Sequence, residues 1–511
     1  MKSFNFKIVF YLSGILLLLN TFFMLLCSVL SLIWKDDLSF SFLISGLITG
    51  SIGGFMYISG KKASRTVRKR EGYLVVSFGW VILILTGVLP YYFSESYLPL
   101  SVYYSNDITT INLFYETVSG YTATGTTIFQ NIDYLPKTIL FWRSLTHWIG
   151  GMGIIVLTIA IMPFLGIGGM QLFSAEYTGN VSPDKIHPRI ADTAKNLWLI
   201  YIVLTFAETI LLYFAGMNFF DAINHSFSTM SAGGFSTKDN SIAYWRNNEL
   251  IQYILTFFMA LSGTNFVILY FLSRLKWKKA WQNEEFKSYL AIILIISAII
   301  SIVYYFHYYK EDSFNFDNLE NAFRFSIFHT TSILSTTGFI FTDYTTITPL
   351  VTLLLFSLFF VGGSAGSTAG GIKIIRQVIL LKNSIIEYKR ILHPNAVIPV
   401  RYGGKAISQK IVYNILAFFV MYMFIWVSSA ILFSLINDDL SKDYESILSS
   451  LTVTASSLGN VGPGIGVYGP TSNMSNLTNA AKLLCNVLMI LGRLEIFTFV
   501  IIFTPYFWKS N

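Results

Sequence analysis

Apolar runs of spanning length, separated by short polar or basic stretches, fill most of this chain. A helix needs about 20 apolar residues to cross the hydrocarbon of a bilayer. Runs at about 8–33, 39–60, 73–93, 138–166, 196–217, 250–272, 288–309, 349–381, 411–436 and 480–507 meet that length and predict ten spans. Four shorter stretches, at about 110–122, 221–232, 320–335 and 443–457, predict helices that go only half way across. Each leads through a Ser/Thr-rich descent into a sharp turn at a glycine. The turns read Thr122-Ala123-Thr124-Gly125-Thr126, Met230-Ser231-Ala232-Gly233-Gly234, Thr336-Thr337-Gly338-Phe339 and Asn460-Val461-Gly462-Pro463-Gly464. The expected fold is an all-α polytopic membrane protein: two N-terminal helices, then four pseudo-repeated helix–half-helix–helix units. The expected divisions are 1–70 for the leading pair and 71–190, 191–280, 281–400 and 401–511 for the four repeats.

An unpaired backbone N–H or C=O facing lipid costs several kcal/mol, so irregular backbone at depth belongs where protein covers it or water reaches it. Four such turns in matching positions predict a shared axis and an ion path along it. Carbonyl rings replace the water that a cation sheds without adding a titratable group. Glycine reaches the backbone conformations that aim successive carbonyls at one axis. The expected cation-binding residues are Thr124, Gly125, Ala232, Gly233, Thr337, Gly338, Val461 and Gly462, with Gly125, Gly233, Gly338 and Gly462 in equivalent places. Each half-crossing helix would point its partially negative C-terminal end at the ion. Asp221, Glu320 and Asp443 are expected near the starts of three of them.

Composition agrees with a membrane chain. Only 12% of the 511 residues are charged, against about 25% in a soluble domain. The net charge of +8 marks topology rather than nucleic-acid binding, because the bases cluster in alternate loops. One side collects Lys61, Lys62, Arg65, Arg68, Lys69 and Arg70, then Lys185, Arg189 and Lys195, then Arg274 to Lys287 and Lys373 to Lys410. By the positive-inside rule that side is cytoplasmic, and both termini lie there. The other side carries the acids, Asp133, Asp221, Asp239, Glu249 and Asp343 among them. They give the outer loops solubility or a cation-attracting vestibule. The first apolar run lacks a cleavage site, which predicts a mature helix. Cys27 and Cys485 form no metal or disulfide pattern. No Walker motif, nucleophile–base pair or ligand cluster predicts catalysis. A membrane enzyme would need Asp, His or Arg gathered at one face, and a sodium- or proton-coupled symporter would need acids along the path.

Gly362, Gly363, Gly366, Gly370 and Gly371 interrupt the run at 349–381. Their spacing does not match a phosphate-binding loop. A helix-packing face of small residues and a broken helix both fit. Arg493 and Glu495 fall in the last span, where ionisable residues are costly and mark function by default. Glu208, in the fifth span, is a candidate partner for Arg493. Glu116 and His329 are expected to hydrogen-bond behind the turns.

At these residues the chain resembles the Trk/Ktr/HKT superfamily of potassium transporters, in particular its TrkH/TrkG-type membrane subunit. The resembling strings include HWIGGMGIIV (His147 to Val156), LGIGGMQLFSAE (Leu165 to Glu176), SAGGFST (Ser231 to Thr237), STTGF (Ser335 to Phe339), GGSAGSTAGGIK (Gly362 to Lys373), GNVGPG (Gly459 to Gly464) and GRLEIF (Gly492 to Phe497). Two spans before the first repeat favour the Trk type over the shorter Ktr type. The resemblance implies potassium (K+) uptake across the bacterial inner membrane, and Gly125 stands where sodium-transporting relatives carry serine. It implies an intramembrane gating loop at Gly362–Gly371 and a pore-facing barrier charge at Arg493. It also implies a homodimer and a cytoplasmic TrkA-like ring that binds nucleotides, docked on the basic stretch Lys382 to Lys410. No organic cofactor is implied. Pro463 predicts a pore that is only pseudo-fourfold.

Overall fold

The computed structural model of the chain describes residues 4–63, 69–94, 109–165, 186–310, 315–437 and 444–508. Arg65, Arg68, Asp443 and most of the LGIGGMQLFSAE string lie outside them. Among the described residues the fold is helical apart from one hairpin of two-residue strands, Arg401–Tyr402 paired with Lys405–Ala406, inside the basic stretch expected to be a cytoplasmic loop.

Two long helices, α1 (Phe6–Trp34) and α2 (Ser39–Gly60), form a leading pair. They touch through small residues: a Cβ added at Gly14 would lie 2.6 Å from the Tyr57 amide nitrogen, and one at Gly60 would lie 2.5 Å from the Lys7 carbonyl oxygen. Without a hydrophobic drive between helices in lipid, such close approach is what holds them.

Then come four units. The first has α3 (Lys69–Gly87), the half-crossing α4 (Thr110–Thr122) and α5 (Lys137–Leu165). The second has α6 (Ile186–Phe214), the half-crossing α7 (Phe219–Met230), and a bent pair, α8 (Glu249–Ser262) with α9 (Phe266–Ser273). In the third, α10 (Glu284–Tyr308) and the half-crossing α11 (Phe316–Leu334) precede α12 (Pro349–Leu358) and α13 (Ile374–Leu392). The fourth has α14 (Gln409–Ile436), the half-crossing α15 (Tyr444–Gly459) and α16 (Asn479–Arg493).

Asparagine and threonine start many of these helices. Asn218, Asn248, Asn283, Asn315, Thr348 and Thr478 each accept a backbone N–H of the first turn, which removes one of the orphan donors at a helix start. The third half-crossing helix starts at Phe316, so Asp317 rather than Glu320 occupies its first turn. Glu320 instead pairs with Arg324 at 3.4 Å.

Two expected straight spans are broken. α8 and α9 meet at 111°, and α16 meets the following segment Phe497–Phe503 at 104°. The break after α8 leaves the Ser262 and Gly263 carbonyls free. The glycine-rich segment between α12 and α13 takes both, through the amides of Thr368 (3.3 Å) and Ser364 (2.9 Å).

Polarity is inverted relative to a soluble protein. Large apolar side chains such as Phe55 and Phe214 stand exposed on the outside, while Ser, Thr and Asn of the half-crossing helices are buried. That arrangement suits lipid outside and a polar path inside.

Candidate functional site

Every half-crossing helix ends the same way. The amides of Thr124, Gly233, Thr337 and Val461 donate to the carbonyls of Ser119, Ser228, Ser332 and Ser456, at 2.8–3.0 Å. The preceding amides, of Ala123, Ala232, Thr336 and Asn460, reach three residues back to Gly120, Thr229, Ile333 and Ser457. These two bonds make the Schellman ending, which requires a left-handed residue. Ala123, Ala232, Thr336 and Asn460 have φ of +50°, +57°, +57° and +53°. Two residues later comes a glycine at positive φ: Gly125, Gly234, Gly338 or Gly462.

This register corrects the second turn. The glycine equivalent to Gly125, Gly338 and Gly462 is Gly234, and Gly233 stands level with Thr124, Thr337 and Val461. Ala232 is the left-handed helix end, where an alanine already serves in the first turn. A sequence signal for this existed: a serine stands six positions before each of the four glycines, at Ser119, Ser228, Ser332 and Ser456.

The four turns close a ring. A Cβ built on Gly125 would lie 2.0 Å from the Gly233 carbonyl oxygen, and one on Gly234 2.0 Å from that of Thr337. One on Gly338 would lie 2.3 Å from the Val461 oxygen, and one on Gly462 2.8 Å from the Thr124 oxygen, which returns to the start. Each glycine is thus the space into which the neighbouring repeat's carbonyl fits. Among the described residues none of these four carbonyl oxygens accepts a hydrogen bond, although all four residues are buried. Buried main-chain oxygens are nearly always paired. A dehydrated cation is a partner of fitting chemistry for such a ring. Gly125, Gly234, Gly338 and Gly462 all line one polar cavity of about 350 Å³, on the side expected to face outward.

Behind the ring, Glu116 and Arg143 form a fully buried ion pair at 2.8 Å. Glu116 also accepts from the Thr127 hydroxyl at 3.0 Å and from the Ile128 amide at 3.0 Å. Arg143 donates to the Thr127 hydroxyl (3.1 Å) and to the Ser236 carbonyl (3.2 Å) of the next turn. Its guanidinium stacks on Phe235, 4.2 Å from the ring centre. His147 stacks on Phe235 as well, at 4.0 Å. Removing one partner of a buried pair typically costs about 3–5 kcal/mol. In the second repeat His225 does the bracing: Nδ1–H donates to the Asp221 carbonyl at 2.8 Å, and Nε2 accepts the Ser236 hydroxyl at 2.9 Å. His329 donates to the Phe325 carbonyl at 2.9 Å. Arg143 and His225 drew no notice in the sequence, because a single polar residue in an apolar helix has no period.

On the inner side, the chain from Phe359 to Lys373 lies against the ends of the half-crossing helices. The Thr368 hydroxyl donates to the Met230 carbonyl at 2.9 Å, and the Gly370 amide donates to the Thr336 hydroxyl at 2.7 Å. A Cβ at Gly370 would lie 2.2 Å from the Gly459 carbonyl oxygen. Gly362, Gly366 and Gly371 take positive φ and Gly363 does not, so the segment folds back on itself. Arg493, 3% exposed, donates to the Thr368 carbonyl at 2.7 Å. Its Nε and Nη2 have no hydrogen-bond partner, and among the described residues no carboxylate pairs with it. Glu208, the expected candidate, does not reach it, and Glu495 pairs with Arg376 instead. An unneutralised charge at this depth is costly enough to mark function.

The outer cavity is also lined by Lys238 and Asp239. Lys238 pairs with Asp133 at 3.1 Å, and Asp239 accepts the Ile132 amide at 2.7 Å. Partial burial raises the Asp239 carboxyl above the usual range; the Ile132 and Asp133 amides oppose that, and the Asp133 carboxylate adds to it. Among the described residues the cavity lining therefore holds two bases, Arg143 and Lys238, and one acid, Asp239, rather than a purely acidic rim.

The TrkH family model, described as a cation transport protein, matches residues 38–510. The Trk system potassium uptake protein TrkH of Salmonella typhimurium is 37% identical over 508 residues, 99% of this chain and all of that one. The Trk system potassium uptake protein TrkG of Escherichia coli is 34% identical over the full length of both. The crystal structure of the potassium transporter TrkH from Vibrio parahaemolyticus superposes with a TM-score of 0.85 at 33% identity, covering 99% of this chain and 100% of that one. Family, relatives and fold agree over the whole length, and the chain belongs to the TrkH family of cation transport proteins, a TrkH/TrkG-type membrane subunit of the Trk superfamily and a transporter rather than an enzyme.

Proposed function

We propose that this chain takes potassium ions into the cell through the ring of carbonyls at Thr124, Gly233, Thr337 and Val461, flanked by Gly125, Gly234, Gly338 and Gly462. The observation that carries this reading is the closed order of those turns: each glycine receives a neighbour's carbonyl, and the four buried oxygens lack a protein partner. The electrochemical gradient supplies the drive. The relatives' printed role, potassium uptake, supports the choice of ion. The segment Gly362–Gly371 acts as the gate beneath the ring, and Arg493 adds an electrostatic barrier to a cation leaving it. The protein lies in the bacterial cytoplasmic membrane with both termini inside. It works as a homodimer, and a TrkA-like nucleotide-binding ring docks on Lys382 to Lys410.

Purified protein in liposomes loaded with potassium or sodium tests the reading. Potassium flux above that of empty liposomes, exceeding sodium flux under the same gradient, is the expected result. Equal, background-level flux of both ions would reject it.

A further inference from the structure

The buttresses behind the four turns are not equivalent, and the odd one carries charge. Nine residues before each glycine of the ring stand Glu116, His225, His329 and Val453. On the helix that follows each turn, the residue in the register of Arg143 sits six positions after the first helical residue, Lys137, Glu249, Pro349 or Asn479. Those residues are Arg143, Leu255, Leu355 and Cys485, all buried. Only the first repeat has an ion pair there.

Arg143 does more than neutralise Glu116. It bridges two repeats: one nitrogen reaches the Thr127 hydroxyl, two residues past Gly125, and another reaches the Ser236 carbonyl, two residues past Gly234. Phe235, the residue after Gly234, contacts both the guanidinium and the His147 ring. Arg143, Thr127, Phe235 and Ser236 all border the outer cavity. A guanidinium is a rigid planar fork, so it fixes the separation of the two strands it joins in a way that neutral packing does not. Those strands carry the Thr124 and Gly233 carbonyls, one directly before each glycine.

We infer that Arg143 is a positioning residue for ion discrimination: its fork sets the spacing between the first and second turns and so sizes the carbonyl ring. This rests on the proposed potassium filter. Lysine keeps the charge beside Glu116 but is a single point donor and cannot span Thr127 and Ser236 together.

The test uses full-length wild type, R143K and T127V in liposomes, with potassium and sodium flux measured separately. T127V removes the hydroxyl that joins Arg143, Glu116 and the Phe129 amide, and leaves no charge unpaired. R143K is expected to insert and to lower the potassium-over-sodium ratio by roughly tenfold, as for loss of a hydrogen bond to a charged group. T127V should lower it less, and both should raise the half-saturating potassium concentration more than they lower the maximal rate. A ratio unchanged in both variants, with both ions slowed equally, would make Arg143 a packing residue only and overturn the inference. Should R143K not be recovered folded, T127V alone decides by the same ratio. Wild type that carries no potassium would instead overturn the filter reading, and the clamp with it.

Discussion

At the scale of single residues, the sharpest expectation separates two adjacent glycines. Gly234 has φ of +82°, and a Cβ there would strike the Thr337 carbonyl oxygen. Alanine at such a φ carries about 1–2 kcal/mol of strain before any collision. Gly233 has no positive φ to keep, and a Cβ there would meet the His147 ring rather than a carbonyl of the ring. Gly234→Ala should abolish rescue of potassium-uptake-deficient bacteria at low potassium, while Gly233→Ala should retain part of it at equal membrane abundance. The reverse order would make Gly233 the counterpart of Gly125, Gly338 and Gly462. The sequence held the answer in its serines, but a doubled glycine offers two registers and glycine alone cannot choose between them. Arg493 carries a second expectation. With no acid paired to it among the described residues, Arg493→Gln should increase cation flux in liposomes; an unchanged flux with reduced membrane yield would make it a structural residue.

At the scale of elements, the interesting helices are the ones that stop. The spans were legible as apolar runs, and their ends agree within a few residues for α1, α2 and α14. The breaks at Gly263 and at Glu495 were not, because hydrophobicity runs straight across them. At Gly263 the last carbonyls of α8 are taken by a segment about a hundred residues away, and that pairing has no local trace. The glycines after α12 left a broken helix as one of two readings, and a place beneath the ring came from the resemblance alone. Shortening Gly362–Gly371 should raise flux and leave the potassium-over-sodium ratio intact. Because Arg493 holds this segment through Thr368, the deletion combined with Arg493→Gln should raise flux by less than the product of the separate effects. A full product would mean that the two act independently.

At the scale of the whole molecule, membrane class and helix order followed from composition and run length alone, whereas closure of the ring is a property of the folded chain. Potassium bound within the ring as proposed would favour the folded state by mass action, by about 2.7 kcal/mol at a hundredfold excess over its dissociation constant. Detergent-solubilised protein should therefore unfold at a higher temperature in potassium than in sodium at equal ionic strength; coincident midpoints would argue against a site that distinguishes them. The seam of the ring joins its first and last quarters. Asn460 donates to the Thr124 hydroxyl at 2.9 Å across 336 positions of sequence, and the Met474 amide donates to the Thr127 carbonyl at 2.8 Å. A ribosome must therefore deliver nearly the entire polypeptide before the conduit exists. An unfinished or prematurely terminated chain offers an open trough to lipid, which cannot leak ions selectively and leaves bare main chain exposed for the cell's proteases to find.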